Sequence, residues 1–176
     1  MMSNSLVKFP LSMRILHWAM ALLLLSLIMA GATMVKSLEP WQFTLLFWHK
    51  SFGVLAALLV MVRLVIKWRS ASVPLPSDIS RWQAFAARAS HGLLYVLMLA
   101  IPLSGLAMQY FGARPISVFE LFTIPAAFIA DIRLYGLFRE FHGYAVLLLI
   151  ALLLLHIGGA LHHHFIRKDG VLKSML

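Results

Sequence analysis

A leucine-rich stretch near the C-terminus, Leu152–Phe165, reads LLLLHIGGALHHHF and carries one histidine within it and three at its end. An imidazole in hydrocarbon is costly, and an ionisable side chain within a membrane segment usually marks a functional site. The stretch therefore predicts a membrane helix that binds a group through His156.

The composition of the whole chain favours a membrane protein. Of its 176 residues 62% are hydrophobic, whereas soluble domains contain about 45–50% apolar residues. Four apolar segments are long enough to cross a hydrocarbon core of about 30 Å as helices. Their approximate bounds are residues 15–35, 45–68, 90–111 and 138–165. We therefore predict an all-α fold, a transmembrane four-helix bundle that forms one domain over residues 1–176.

Two longer connections separate the predicted spans. The segment Ser70–Ala89 is polar and contains prolines, which predicts a loop. The segment Gly112–Gly136 is too apolar for free solution and is interrupted by Pro115 and Pro125. We expect this second segment to lie over one end of the bundle at the membrane surface.

Basic residues are distributed unevenly between the two sides of the predicted bundle. An even number of spans places both termini on one side, together with the connection between spans two and three. That side carries Lys8, Arg14, Arg63, Lys67, Arg69, Arg81, Arg88, Arg167, Lys168 and Lys173. The other side carries Lys36, Lys50, Arg114, Arg133 and Arg139. Because cytoplasmic loops are enriched in Lys and Arg, we predict cytoplasmic termini. The net charge of +9 then reflects topology and attraction to anionic membrane lipid, not nucleic-acid binding.

Histidine spacing predicts two binding levels within the bundle. His142 and His156 are 14 residues apart, which on an α-helix is about 1400° of rotation and about 21 Å of rise. Both imidazoles therefore lie on one face of the last span, one near each membrane surface. Two metal centres in the bundle core suit this arrangement, because neutral imidazole is an axial ligand of haem iron. By their predicted depth in the membrane, His49 pairs with His142 on the outer side and His17 pairs with His156 on the inner side.

The same spacing applied to the other spans reaches small or basic residues. From His17 it reaches Gly31, and from His91 it reaches Gly105, where glycine leaves room for a flat macrocycle. From His49 it reaches Arg63, at the depth of the inner metal centre. We expect Arg63, and Arg14 near the start of the first span, to pair with haem propionates.

Other interpretations of these histidines remain open at this point. A histidine in a span can be a hydrogen-bonded packing residue, a zinc ligand or part of a proton relay. The chain has no cysteine and few acidic residues in its spans, which argues against zinc and a relay and excludes c-type haem attachment. His91 either replaces His17 as a ligand or lies beside the inner centre, and His163 contacts a propionate or a quinone. His162 and His164 fit an interface with anionic lipid.

Several motifs, taken in order, resemble the bacterial cytochrome b561 family of four-helix di-haem b membrane proteins. They span nearly the whole chain, and their order and spacing are more specific than any one of them. The motifs are RILHW at Arg14–Trp18, WHKSFG at Trp48–Gly53, VRLVIKW at Val62–Trp68, SHGLLY at Ser90–Tyr95, PLSGLAM at Pro102–Met108, FHGYAVLLLIALLLLH at Phe141–His156 and HHHFIRKDGVLKSM at His162–Met175.

The resemblance implies two b-type haems per chain in a bacterial inner membrane protein, with His17, His49, His142 and His156 as the iron ligands. It also implies electron transfer between the quinone pool and a donor. Family members oxidise superoxide to dioxygen and reduce ubiquinone, or link a separate dehydrogenase or hydrogenase to quinone. The chain departs from the family pattern at His162, which makes the terminal cluster three histidines instead of two.

Three hypotheses for function follow. In the first, the chain is an enzyme in which the five outer cations attract superoxide and ubiquinone is reduced near Arg14, Arg88, His91 and His163. In the second, the chain is the haem subunit of a larger dehydrogenase or hydrogenase. In the third, it is a haem-free channel or transporter, which the absorption spectrum of the reduced protein distinguishes from the other two.

Overall fold

Four long helices account for most of the structure, a computed structural model that describes residues 8–34, 39–70 and 80–176. They are α1 (Leu11–Met34), α2 (Trp41–Arg69), α3 (Arg81–Phe111) and α4 (Ile132–His162). All four are long and apolar enough to cross a membrane. The shortest, α1, has 24 residues, which gives about 36 Å at the helical rise. The predicted all-α membrane four-helix bundle is confirmed.

The packed core lies halfway along the bundle, mainly between α3 and α4. Its buried side chains are Leu94, Leu97, Ala145, Leu149 and Leu152, with Ile28 of α1 packed against them. Many other leucines, including Leu22, Leu147 and Leu154, are exposed on the outside of the bundle. Such a surface would aggregate in water but is solvated by lipid, as expected for membrane helices.

Two helices begin well before the predicted spans, and the prediction that Arg81–Ala89 belongs to a loop was wrong. A capping box begins α3, because the Ser80 hydroxyl accepts from the Gln83 amide at 3.2 Å and the Gln83 side chain accepts from the Ser80 amide at 3.0 Å. At α4 the Asp131 carboxylate accepts from the Leu134 amide at 3.0 Å. Hydropathy marks only the membrane-embedded part, whereas these caps extend both helices beyond it.

A short antiparallel hairpin occupies the connection between α3 and α4. Strands β1 (Ile116–Val118) and β2 (Phe122–Ile124) pair there, and the turn holds Phe119 and Glu120 at positive φ of 49° and 60°. Ser51 of α2 fixes this turn, since its hydroxyl accepts from the Phe119 amide at 3.1 Å and donates to the Ser117 carbonyl at 3.4 Å. The hairpin thus packs against the N-terminal part of α2.

The opposite end of the bundle is closed by the C-terminal segment. A π-helical turn (His163–Arg167) follows α4, and a 3₁₀ helix (Leu172–Met175) packs against the start of α1. The Trp18 indole donates to the Met175 carbonyl at 3.0 Å, and the Phe9 amide donates to the Ser174 carbonyl at 3.1 Å. These bonds link the two ends of the described chain.

We predict that Ser51→Ala destabilises the protein by about 1–3 kcal/mol, because it leaves the Phe119 amide without its acceptor in a site where Ser51 is fully buried. Thermal unfolding in detergent measures the change. Ser26→Ala is the matched control, since Ser26 is exposed and donates only to its own helix, and we expect it to change stability by less than about 0.5 kcal/mol. Equal melting temperatures for the two variants would contradict this role of Ser51.

Candidate functional site

One histidine layer, named the outer layer after its predicted side of the membrane, is formed by His49 of α2 and His142 of α4; the other is named the inner layer. Their ring centroids are 6.5 Å apart, with the ring planes at 68°. Both side chains lie inside the bundle, near the end that carries the hairpin. The structure therefore brings together the two histidines that the depth argument paired.

Hydrogen bonds on one side of its ring fix the orientation of His142. Its Nδ1 lies 3.0 Å from the Ile101 carbonyl oxygen and 3.0 Å from the Ser104 hydroxyl. The Ser104 hydroxyl already donates to the Ile101 carbonyl at 2.6 Å, so both groups present acceptors to the ring. The proton of a neutral His142 is therefore on Nδ1, and the Nε2 lone pair is available to a ligand.

Small residues face the outer layer from the other two helices. A Cβ atom added to Gly31 of α1 would lie 3.6 Å from the His49 ring, and one added to Gly105 of α3 would lie 3.4 Å from the His142 ring. The Nδ1 atom of His49 is buried without a well-formed hydrogen bond. The backbones of α1 and α3 thus approach the imidazoles closely, at the depth that the 14-residue spacing predicts.

The inner histidine layer contains three rings. His17 of α1 lies 6.2 Å from His156 of α4, and His91 of α3 lies 5.3 Å from the same ring. His17 and His156 are partly buried, whereas His91 is exposed. The His17–His156 separation matches that of the outer pair, and the His91–His156 separation is shorter by about 1 Å.

Arg63 of α2 lies beside the inner layer and is only 8% exposed. Its Nε donates to the Tyr95 hydroxyl at 3.0 Å, and a terminal nitrogen lies 2.9 Å from Nδ1 of His17. Lys67 lies 4.3 Å above the centroid of the Tyr95 ring. The position expected for Arg63, at the depth of the inner centre, agrees with the structure.

Arg14 lies one turn before His17 at the same end of the bundle. It lines a groove with Trp18, Met175 and the apolar side chains around them. Its Nε is buried and has no hydrogen-bond partner among the residues that the structure describes. A buried guanidinium nitrogen without a partner is costly, which indicates that an acceptor belongs there.

Both paired layers fit an iron ion held between two imidazoles. Metal–nitrogen bonds of about 2 Å on both sides of the metal set the ring centroids about 6 Å apart, close to the observed 6.5 Å and 6.2 Å. In the described residues no group of three or more His, Cys, Asp and Glu side chains is arranged to hold a metal ion. Each layer instead offers two axial imidazoles, the ligand set of a bis-histidine haem.

The C-terminal histidine cluster forms a separate polar cap. Nδ1 of His163 lies 2.5 Å from the Asp169 carboxylate, which also accepts from the Arg167 side chain at 3.2 Å and from the Val171 amide at 3.2 Å. Burial by itself would raise the pKa of Asp169, but these hydrogen bonds outweigh it and hold the pKa below its usual range. A π-helical turn begins at His163 and runs to Arg167.

Four residues of this arrangement were missed by the sequence analysis. They are Ser104, which orients His142, Tyr95 and Lys67, which surround Arg63, and Asp169, which binds His163. Tyr95 is four residues after His91 and Ser104 is one residue before Gly105. Helical spacing from His91 was the signal that would have found Tyr95, and adjacency to Gly105 was the pointer to Ser104.

Comparison with known proteins agrees with the geometry. A family model described as prokaryotic cytochrome b561 matches residues 8–176. The chain is 36% identical over 166 residues to cytochrome b561 homolog 2 of Escherichia coli, covering 91% of this chain and 86% of the relative. It is 30% identical over 128 residues to cytochrome b561 homolog 1 of the same organism, covering 73% of this chain and 72% of the relative.

A third relative carries a more specific name. The chain is 27% identical over 164 residues to a probable superoxide oxidase of Yersinia pestis, covering 92% of this chain and 91% of the relative. Four membrane helices, two facing histidine pairs and a match over nearly the whole length therefore agree. The chain belongs to the prokaryotic cytochrome b561 family of multi-pass bacterial membrane proteins, which bind b-type haem and transfer electrons.

Proposed function

We propose that this protein is a di-haem b oxidoreductase that takes electrons from superoxide outside the cell and reduces ubiquinone. The observation that carries the proposal is the presence of two facing histidine pairs, separated by 6.5 Å and 6.2 Å, on opposite sides of the apolar core. His49 and His142 are the proposed axial ligands of the outer haem, and His17 and His156 those of the inner haem. Bound haem supplies one-electron redox chemistry at each layer.

The choice of His17 over His91 as the inner ligand follows from distance and burial. The His17 and His156 ring centroids are separated like those of the outer pair, whereas the 5.3 Å between His91 and His156 is shorter than the about 6 Å that two imidazoles on opposite sides of a metal would need. His91 is exposed beside the pair and serves as a neighbouring donor. Arg14 and Arg63 are the proposed partners of the inner haem propionates. Arg63 is buried, Nε of the partly buried Arg14 is buried, and neither side chain has an acidic partner among the described residues.

The orientation of the protein follows from its charges. We infer cytoplasmic termini in the bacterial inner membrane, since ten of the fifteen basic residues lie on the terminal side. The layer of His49 and His142 then faces the outside, and the layer of His17 and His156 faces the cytoplasm.

Two cations near the outer layer support an anionic donor. Lys50 follows His49 on α2, and Arg114 lies close enough for its charge to act on Lys50. Arg114 also contacts Tyr135, with its guanidinium carbon 5.2 Å from the ring centroid. Neighbouring positive charges attract a small anion such as superoxide. Lys36, a third outer cation, lies outside the described residues.

The reaction balances with the two haems as one-electron centres. Two superoxide ions lose one electron each and become two dioxygen molecules, and one ubiquinone takes both electrons with two protons to become ubiquinol. Superoxide crosses membranes poorly because it is charged, so its oxidation outside and the reduction of quinone within the membrane need a protein that carries electrons from the surface into the bilayer. The relative named as a probable superoxide oxidase supports this donor.

The cap around His163 is the proposed quinone contact. The ionised Asp169 accepts from Nδ1 of His163, which leaves Nε2 of this half-buried ring for a second partner. A quinone carbonyl accepts hydrogen bonds, and an imidazole N–H at Nε2 donates to such an acceptor. The cytoplasmic side supplies the protons for quinone reduction.

Haem content tests the proposal most simply. We expect two b-type haems per chain in the purified protein, and His142→Ala and His156→Ala each to lose a different one. Absorption spectra of the reduced protein and haem extraction measure this, with His164→Ala as the control that keeps both. A colourless protein, or loss of the same haem in both variants, would contradict the ligand assignment.

Charge removal at the outer end tests the donor. We expect Lys50→Gln combined with Arg114→Gln to slow reduction by superoxide by about threefold or more at low salt, and the difference to shrink at high salt. Lys173→Gln, on the inner end, should leave the rate unchanged. If superoxide reduces wild type and double variant equally fast, the steering role is wrong. If it does not reduce the wild type at all, the donor is a separate dehydrogenase or hydrogenase subunit.

Quinone contact is tested at the C-terminal cap. We expect His163→Ala to raise the KM for ubiquinone by roughly 3- to 10-fold, the loss of one hydrogen bond, with haem content unchanged. His164→Ala, one residue away, should keep the wild-type KM. An unaltered KM in the His163 variant would place the quinone elsewhere.

A further inference from the structure

The most unusual charge in the bundle is that of Arg63. Its side chain is more than nine-tenths buried at the depth of the inner layer. Within the described part of the chain it forms no ion pair with an acidic side chain, and its hydrogen bonds go to Tyr95 and His17. The protein thus buries this charge without an acidic side chain to neutralise it, which is costly in a membrane bundle and makes the charge itself a candidate for function.

The two hydrogen bonds of Arg63 are not equivalent once the inner layer holds a metal. A guanidinium only donates, so its contact at 2.9 Å requires Nδ1 of His17 to accept and puts the proton of a neutral ring on Nε2. A His17 that binds a metal through Nε2 carries its proton on Nδ1 instead, and the contact with Arg63 is then lost. The bond from Arg63 to the Tyr95 hydroxyl is unaffected by this change and remains as the anchor.

Tyr95 is well placed to hold this charge. It projects from α3 towards α2, where its hydroxyl accepts from Nε of Arg63, and its ring lies 4.3 Å from Nζ of Lys67 and 5.9 Å from the guanidinium carbon of Arg63. The negative face of an aromatic ring attracts cations. One tyrosine thus holds Arg63 through its hydroxyl and attracts two like charges through its ring.

In the part of the chain that the structure describes, no comparable charge is buried at the outer layer. There His142 is oriented by two neutral groups, the Ile101 carbonyl and the Ser104 hydroxyl. Lys50 is only partly buried and Arg114 is exposed, so solvent and salt screen their charges. A permanent charge at the inner layer acts through a low dielectric and is screened far less.

We propose that Tyr95 is a positioning residue that holds the Arg63 guanidinium at the His17–His156 layer, and that this buried charge raises the reduction potential of the inner centre above that of the outer centre. A nearby positive charge stabilises the reduced form of a redox centre, which carries one charge less than the oxidised form. The asymmetry favours electron movement from the outside to the quinone side. The inference rests on the proposed function, because it requires haem at both layers.

Redox titration of the purified, haem-loaded protein, followed by absorption, tests the inference. The wild type should titrate as two centres at separate potentials. In Tyr95→Phe the more positive centre should shift to a more negative potential while the other stays in place. In an Arg63→Gln background, the same Tyr95 substitution should cause no further shift, because Tyr95 acts through Arg63.

Two controls distinguish this role from a structural one. Tyr135→Phe removes the corresponding arginine–tyrosine contact at the outer end, where the Arg114 and Tyr135 atoms are 3.5 Å apart, and should leave the more positive potential unchanged. Arg63→Lys should keep that potential closer to the wild-type value than Arg63→Gln does. This comparison tests the buried charge even where Tyr95→Phe fails to accumulate.

The outcomes separate the two proposals. If wild type and Tyr95→Phe both hold two haems and each haem has the same potential in both proteins, the role of Tyr95 is overturned and the proposed function stands. Equal shifts of both centres also overturn it, because a general loosening of the bundle would act on both. Equal potentials in Arg63→Lys and Arg63→Gln overturn the role of the charge. A wild-type protein with fewer than two haems overturns both proposals together.

Discussion

A polar side chain inside a lipid bilayer must find its partner within the protein, and this constraint governs the whole structure. Hydrocarbon supplies neither hydrogen bonds nor counter-charges, so each histidine and arginine in a span has to be satisfied by neighbouring helices or by a bound group. His142 forms hydrogen bonds to Ile101 and Ser104 of α3 on one side of its ring, and Arg63 donates a hydrogen bond to Tyr95. Within each histidine pair the two rings face each other with their centroids about 6 Å apart, the space that a bis-histidine metal centre fills.

The middle and the two ends of the bundle contribute differently to the positions of these groups. The middle of the bundle is packed by leucines of α3 and α4, which keeps the two histidine layers apart. The hairpin, fixed to α2 by Ser51, covers the outer end, and the C-terminal segment, bound to Trp18, covers the inner end. Each layer therefore has its own electrostatic surroundings: neutral hydrogen-bond acceptors at the outer layer and a buried guanidinium at the inner layer.

The helices were predicted well from the sequence, and histidines expected at one depth lie near each other in the structure, because both features depend on simple periodicity. Span length follows from bilayer thickness, and the 14 residues between His142 and His156 determine their shared face. The beginning of α3 was predicted wrongly, although the pattern Ser80-x-x-Gln83 of a capping box was present in the sequence. Hydropathy does not detect a helix that continues beyond the membrane.

Contacts between helices could not be predicted in the same way. The bond from Arg63 to Tyr95 joins residues 32 apart, and that from His142 to Ser104 joins residues 38 apart, so no local pattern encodes them. The bond between His163 and Asp169 likewise joins the first residue of a π-helical turn to a residue beyond it, and hydropathy does not predict that turn. Such features follow from tertiary packing, which decides which of several polar side chains at one depth actually meet.

The central claim is that each histidine pair holds one iron ion. Anomalous scattering measured at the iron absorption edge from crystals of the purified protein locates iron directly. The account predicts two peaks, one between His49 and His142 and one between His17 and His156. A single peak, or an inner peak coordinated by His91 in place of His17, would contradict it.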